Sequence, residues 1–175
     1  MRKQNSYITL FLSVFILILD TYPVYSQSSN FKNYSVEDGL PQSQVTAIFQ
    51  DRHGYLWFGT LGGGICKYDG NSFYNYFEKD GLSSNIINCI YEDSKNNLWI
   101  GTDRGLSKYT PSFEMDVNSK MFQVYTNYDG LINNSINDIL EDKKANLWIG
   151  TNNGLSRVKL NDTTETSITF HNYSS

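Results

Sequence analysis

Short apolar runs separated by polar turns make up most of the chain beyond residue 30, and no run carries the 3.6-residue stripe of an amphipathic helix. One run, Leu98-Trp99-Ile100, is followed directly by Gly101-Thr102, and its side chains must point alternately to the two faces of a strand. Because both faces then carry large apolar side chains, both must be covered by other parts of the protein. The pattern predicts a strand buried inside a stack of small sheets.

The same pattern recurs, with tryptophans at Trp57, Trp99 and Trp148, which are 42 and 49 residues apart. Each tryptophan is followed two residues later by the glycine of a Gly-Thr pair, and each is preceded by an Asp-Gly-Leu triplet. The glycines of the Gly-Thr pairs are Gly59, Gly101 and Gly150. Self-similarity at a period of this length is the signature of a repeat architecture.

Each unit contains four short strand-like runs, separated by turns rich in Asp, Gly and Asn. Four-stranded units of roughly 40 to 50 residues that stack face to face are the blades of a β-propeller. The prediction is therefore an all-β fold of four-stranded antiparallel propeller blades, with a β-sandwich as the second choice. We expect blades at about 43–77, 85–126 and 135–174, and a leading strand at 31–35 that belongs to the blade closing the ring. About three blades form an incomplete ring, since closed propellers have roughly four to eight.

The N-terminus has the pattern of a secretory signal peptide. Arg2 and Lys3 precede an apolar run at 8–19, and small or tolerated residues at 24–26 suit a cleavage site. We therefore expect a signal peptide at 1–26, a partial propeller at 27–175 and a periplasmic location. An uncleaved N-terminal membrane anchor is the alternative, although the run is shorter than the roughly 20 residues of a membrane span.

Composition excludes several functions. The formal net charge is −4 and the basic residues form no cluster, which argues against nucleic acid as a partner. His53 and His171 have no Cys, His or Asp neighbours at the spacing of metal ligands, so neither a metal nor another cofactor is predicted. Cys66 and Cys89 occupy different positions of the repeat, and either a disulfide or two isolated core thiols is open.

The string Phe-x-x-Tyr, Asp-Gly-Leu, Ile-x-x-Ile-x-x-Asp, Leu-Trp-Ile-Gly-Thr and Gly-Leu-x-Lys/Arg-Tyr resembles the two-component regulator propeller repeat, over essentially all of 31–175. That resemblance implies the exported sensor region of a bacterial hybrid two-component regulator, many of which sense oligosaccharides. It also implies partners: a small-molecule or oligosaccharide ligand, and either the remaining blades or a membrane kinase. Kinase segments are absent from this sequence, so no enzyme activity is expected.

The repeated acids Asp51, Asp93 and Asp142 could suggest the paired carboxylates of a glycosidase, but a turn-forming role explains their repetition better. The tryptophans and glycines of the repeat are expected in the core between blades. Ligand contacts are expected instead in loops that differ between units and share one rim of the propeller. The candidates are Asp103, Arg104, Asn152, Asn153, Gln42, Asn85, Asn133 and Asn134. A polysaccharide lyase or glycosidase fragment, or a non-functional truncated product, are the alternative interpretations.

Overall fold

The computed structural model describes residues 31–110, 121–160 and 168–174. The described residues from Tyr34 onward belong to one compact unit. The predicted signal peptide at 1–26 lies outside the described residues. Within the described ranges, no helix has both the length and the apolar character needed to cross a membrane.

The described residues form three antiparallel sheets of four strands each, as the all-β propeller prediction expects. The first sheet contains β1 (Val45–Gln50), β2 (Leu56–Thr60), β3 (Ile65–Tyr68) and β4 (Phe73–Tyr76). The second contains β5 (Ile87–Glu92), β6 (Leu98–Thr102), β7 (Leu106–Tyr109) and β8 (Phe122–Tyr125). The third contains β9 (Ile136–Glu141), β10 (Asn146–Thr151), β11 (Gly154–Lys159) and β12 (His171–Tyr173). In each sheet the strands follow in chain order, which is the arrangement of a propeller blade.

A tight turn joins the first two strands of each sheet. Its fourth residue has positive φ in every copy: 86° at Gly54, 70° at Asn96 and 58° at Ala145. Glycine and asparagine tolerate this left-handed conformation, whereas alanine does not favour it. The sequence predicts a less well specified turn at Ala145, but the structure forms the same turn there, and the Ala145 N–H donates to the Asp142 carbonyl at 3.0 Å. The alanine therefore carries backbone strain that its two counterparts avoid.

The Asp-Gly-Leu triplets close the link between one sheet and the next. Each aspartate accepts a hydrogen bond from the backbone N–H three residues earlier, as Asp80 does from Phe77 at 2.9 Å. Each glycine then has positive φ, 105° in the case of Gly81, and ends a single 3-10 turn. The following leucine, such as Leu82, is buried in the core. The triplet is thus a structural corner.

The second sheet is packed between the other two, since β5 contacts β1 on one side and β9 on the other. Trp57 and Trp99 are each only 1% exposed. Trp57 lies in the apolar cluster between the first and second sheets, and Trp99 lies in the cluster between the second and third. Gly59 is required at the first interface, because a Cβ there would approach Ile87 Cγ2 to 2.5 Å. Gly101 is required at the second, where a Cβ would lie 2.7 Å from Ile136 Cγ2.

Polar groups repeat across both interfaces as well. Thr46 Oγ1 donates to the Ile87 carbonyl at 2.6 Å, and Asn88 Nδ2 donates to the Ile136 carbonyl at 2.8 Å. These equivalent bonds fix the register of one sheet on the next. The two interfaces are therefore built to the same plan.

The outer faces of the stack are open. On the third sheet Leu140 is 60% exposed, Trp148 is only half-buried, and a Cβ at Gly150 would meet nothing closer than 3.6 Å. On the first sheet Ile48 is 69% exposed. Gly150 and Trp148 thus occupy the positions that the interface glycines and tryptophans occupy in the first two repeats. Among the described residues, no further sheet packs against them.

Residues 31–35, which were expected to form a leading strand, have no strand in the structure. Their assignment to a closing blade stays a prediction. Cys66 and Cys89 are both free thiols, so the disulfide left open by the sequence does not form.

Candidate ligand-binding site

An aspartate–tryptophan bridge lies inside every sheet. The carboxylate Oδ2 of Asp51, Asp93 or Asp142 accepts a hydrogen bond from the indole Nε1 of the tryptophan six residues later, at 2.8, 2.8 and 2.9 Å. The other oxygen accepts the backbone N–H groups of the turn, which confirms the turn-forming role expected of these acids. The bridge to the indole was missed, although a constant six-residue spacing in all three copies could have indicated it.

Hydrogen bonding dominates the electrostatics of this bridge at Asp142. Bonds from the Trp148 indole and from Asn146 hold the pKa of the Asp142 carboxyl well below its ordinary value. The carboxylate is therefore ionised throughout the neutral range and is unsuited to act as a general acid. This favours the structural role over the glycosidase interpretation.

The predicted ligand-contact residues lie at one end of the sheets, called here the Gly-Thr rim: the turns β2–β3, β6–β7 and β10–β11 together with the links between sheets. The threonine of each Gly-Thr pair holds its turn, as when Thr102 Oγ1 donates to the Gly105 carbonyl at 2.9 Å. Thr60 and Thr151 make the same bond to Gly64 and Gly154, each at 2.8 Å. The sheet topology thus brings the candidate loops to one rim.

Most of the candidate amides on the Gly-Thr rim are engaged in local bonds. Gln42 Nε2 donates to the Leu61 carbonyl at 3.0 Å, and Asn85 Oδ1 accepts from the Glu78 N–H at 2.9 Å. The remaining amides behave similarly: Asn133 accepts from Ser135 N, Asn134 accepts from Asn127 N, and Asn152 donates to Ser135 Oγ. These side chains build the rim, and a ligand would have to share their hydrogen-bonding capacity.

The loop after Thr102 and the Asn153 side chain are more accessible. Arg104 is largely exposed and lies 3.6 Å from the Glu78 carboxylate, between Nη1 and Oε2. Asp103 Oδ1 is buried and has no hydrogen-bond partner among the described residues. Asn153 uses its backbone N–H to bond Thr151 Oγ1 at 3.1 Å, and the residue is exposed. Of the predicted set, Arg104 and Asn153 are the groups best placed to meet a ligand.

A cleft that the sequence did not predict lies between the second and third sheets, at the end opposite to the Gly-Thr rim. Its volume is about 570 Å³, within the range of small-ligand sites. Its lining includes Lys95, Asn97, Lys108, Gln123 and, on the wall from the third sheet, Val158. Tyr125 also lines it, and burial raises the pKa of Tyr125 to about 12, so this phenol stays neutral.

The described residues contain no group of three or more His, Cys, Asp and Glu side chains arranged to hold a metal ion. His53 lies beside Tyr55 with a ring-centroid separation of 6.5 Å, and His171 is exposed on β12. The chemistry on both ends of the sheets is that of hydrogen bonding and charge, which suits binding of a polar ligand.

Three four-stranded sheets stacked through a repeated Trp-x-Gly-Thr strand define an incomplete β-propeller. The family described as "two component regulator propeller" matches residues 39–62, 81–104 and 130–153. Each matched range runs from an Asp-Gly-Leu corner to the turn after Gly-Thr. All three repeats of this chain therefore match the two component regulator propeller family.

Two solved extracellular domains and one histidine kinase are similar to this chain. The extracellular domain of the hybrid two component system BT3049 from Bacteroides thetaiotaomicron is 32% identical, with a TM-score of 0.67 over 82% of this chain and 19% of that one. The corresponding domain of BT4673 from the same organism is 29% identical, with a TM-score of 0.57 over 75% of this chain and 19% of that one. Histidine kinase P4 of Formosa agariphila is 42% identical over 66 residues, which span 35% of this chain and 5% of that protein. The chain thus spans about a fifth of the solved extracellular domains.

Propeller enzymes share the fold. Virginiamycin B lyase from Staphylococcus aureus superposes with a TM-score of 0.58 over 82% of this chain and 44% of its own, at 13% identity. Identity this low shows the architecture alone. Function on a widely used fold must be argued from the site and not from the fold.

Proposed function

We propose that this chain is the N-terminal part of an exported, ligand-sensing β-propeller of a two-component signal transduction system, and that its ligand is an oligosaccharide. The observation that supports this most is the match of all three repeats to the regulator propeller family, together with 32% identity to an extracellular domain of a hybrid two component system. The role is binding and not catalysis. The similarity to the lyase concerns only the fold. The carboxylates of the repeated acids accept hydrogen bonds from turn N–H groups and from the tryptophan indoles.

Sensing requires a partner that carries the signal. We propose that further blades, and through them a membrane kinase, pack on the open face of the third sheet. Support comes from Gly150, Leu140 and Trp148, which repeat the interface plan of the buried copies and yet lack a covering sheet among the described residues. A bare apolar face of this kind indicates an interaction surface.

Ligand binding is tested by isothermal titration calorimetry of the purified chain against a panel of neutral and acidic oligosaccharides. We expect saturable binding to at least one member, and no change in the mass of that oligosaccharide after prolonged incubation. Saturable binding to none of the panel by a chain that is folded by circular dichroism would contradict the proposed ligand class. Cleavage of the oligosaccharide would contradict the non-catalytic role.

Export is tested by fusing alkaline phosphatase, which is active only after export, to the C-terminus of the full chain. We expect activity from the intact fusion and none after deletion of residues 1–26. Extraction of the processed protein in a soluble periplasmic fraction supports the cleaved form. Retention of the fusion in the membrane would support the uncleaved N-terminal anchor instead.

A further inference from the structure

The cleft between the second and third sheets lies where tyrosine rings fill the equivalent space at the first interface. At the first interface Tyr109 packs edge-on against Trp57, with ring centroids 5.1 Å apart, and it also contacts Tyr76 and Phe122. The strand pairing places Val158 at the equivalent position of the third sheet, since Tyr109 pairs with Leu98 and Val158 pairs with Leu147. A valine cannot fill the volume of a tyrosine ring, so the second interface opens beside Trp99.

Two more tyrosine positions are changed in the same place. Tyr55, directly before β2, is replaced by Asn97, directly before β6. Tyr74, which pairs with Lys67, is replaced by Gln123, which pairs with Lys108. Both replacements lie in the lining of the cleft. Compared with the first interface, the cleft therefore has two amides and a smaller aliphatic side chain in place of three phenol rings.

These changes also leave the equivalent lysines in different surroundings. Lys67 Nζ lies 3.7 Å from the centroid of the Tyr55 ring, a close cation–π contact. Lys108 has Asn97 in place of that ring, and its Nζ is 5.6 Å from the Trp99 centroid. Lys108 thus lines the cleft without the close tyrosine contact that Lys67 makes.

The cleft is cationic in a protein whose formal net charge is −4. Its lining includes Lys95 and Lys108, and no acidic residue is among the described residues that line it. Arg157 also borders the cleft, but its guanidinium lies 5.8 Å from the Trp148 ring centroid, on the other face of the third sheet. Nearby acids are already paired: Asp93 bonds Trp99 and its own turn, and Glu141 accepts from both the N–H and Oγ of Ser94 at 2.6 Å. Lys95 Nζ bonds the Leu160 carbonyl and retains donors for a ligand.

We propose that this inter-sheet cleft binds an acidic oligosaccharide, with Lys108 and Lys95 facing its carboxylates and with Asn97 and Gln123 bonding its hydroxyl groups. The inference rests on the proposed sensing of oligosaccharides, and it assigns the site to the end opposite the Gly-Thr rim. Ammonium groups recognise carboxylates by charge-assisted hydrogen bonds, and amides both donate to and accept from sugar hydroxyls. About 570 Å³ is sufficient for a short segment of such a chain.

The test is calorimetric titration of the full chain with trigalacturonate, a neutral galactotriose and inorganic phosphate. We expect saturable binding of trigalacturonate that weakens as salt is raised, with weaker or undetectable binding of the other two probes. Lys108→Gln should weaken trigalacturonate binding by about tenfold or more, since it removes one charge-assisted hydrogen bond. Lys67→Gln is the matched control, because it changes the equivalent lysine at the closed interface, and it should leave binding unchanged.

A second variant closes the cleft by restoring the ring found at the first interface. Val158→Tyr should abolish trigalacturonate binding while the circular dichroism spectrum stays that of the parent chain. If Val158→Tyr fails to fold, the comparison of Lys108→Gln with Lys67→Gln still decides the matter. Lys108→Arg, which keeps the charge, should retain most of the affinity.

The outcomes separate this proposal from the broader one. Binding of trigalacturonate or galactotriose that Arg104→Ala weakens and Lys108→Gln does not would place the ligand at the Gly-Thr rim: the cleft proposal fails and oligosaccharide binding stands. Equal affinity for phosphate and trigalacturonate would mean that the cleft recognises only charge, which also overturns it. Failure of every oligosaccharide, acidic and neutral, would overturn both.

Discussion

Asp93 bonds the Trp99 indole through its carboxylate. We expect Asp93→Asn, which replaces one carboxylate oxygen by an amide nitrogen, to lower the stability of the protein strongly. Asp93 is fully buried and accepts four hydrogen bonds. Oδ1 accepts the N–H groups of Lys95 and Asn97 at 2.9 and 2.8 Å, while Oδ2 accepts Asn97 Nδ2 and Trp99 Nε1, both at 2.8 Å. Asp93→Asn keeps the shape and one acceptor, but it turns an N–H donor toward the indole N–H.

The magnitude follows from the number of bonds affected. Leaving the buried indole N–H without an acceptor costs about 1–3 kcal/mol, and weakening the backbone bonds by removing the negative charge adds to this. We expect a total loss of about 2–4 kcal/mol for Asp93→Asn, which is a large part of the roughly 5–15 kcal/mol that stabilises a typical domain. The equivalent Asp51→Asn should cost less, because Asp51 is half-buried and water can replace part of what it loses.

The assay is equilibrium unfolding in urea, followed by tryptophan fluorescence. With a slope of about 1–3 kcal/mol per molar urea, the midpoint of Asp93→Asn should fall by roughly 1–2 M. Asp51→Asn is the matched comparison, with the same bond in a wetter place. A midpoint within a few tenths of a molar of the parent chain, or an effect no greater than that of Asp51→Asn, would refute the argument that burial makes this bridge a major stabilising element.

Three smaller predictions follow from the same structure. Ala145→Gly should raise the free energy of unfolding in urea by about 0.5–1 kcal/mol, because it relieves a residue with φ of 58°; an unchanged or lower value would contradict the strain. Burial raises the pKa of Cys66 to about 11 and of Cys89 to about 12, so neither thiol should react quickly with a disulfide reagent at mildly alkaline pH, and both should react after denaturation; a missing thiol after denaturation would reveal a disulfide. The pKa of Asp142 is lowered by folding, so its contribution to stability is full above its ordinary pKa and is lost as the pH falls below about 4; Asp142→Asn should flatten that part of the pH–stability curve, and an equally steep curve would contradict the assignment.

The sequence predicts the fold well because every copy of the repeat repeats the same local chemistry. The turn residues Gly54 and Asn96, the Asp-Gly-Leu corners and the doubly apolar strand at Trp99 each specify one local structure, and three copies in one register exclude most alternatives. Ala145 shows the limit of local rules, since the packing of the third sheet imposes a turn that its own residue disfavours.

The candidate site was less predictable, because it depends on contacts between units. Amides such as Asn85 and Asn134 are available in the sequence, but the structure uses them to hold neighbouring backbone groups of the rim. The cleft depends on which residue of one sheet faces which residue of the next. Val158 is unremarkable in its own strand, and only its position opposite Trp99 makes it the cause of an opening.

The central claim is that the Trp-x-Gly-Thr strand is the surface on which one blade stacks on the next, and that the third copy has this surface open. Thermal unfolding of Gly59→Ala, Gly101→Ala and Gly150→Ala tests it directly. The first two place a Cβ against Ile87 and Ile136, and each should lose about 1–3 kcal/mol from overpacking. Gly150→Ala meets nothing closer than 3.6 Å and should change the free energy of unfolding by no more than about 0.5 kcal/mol. A loss at Gly150→Ala as large as that at the other two glycines would contradict the account.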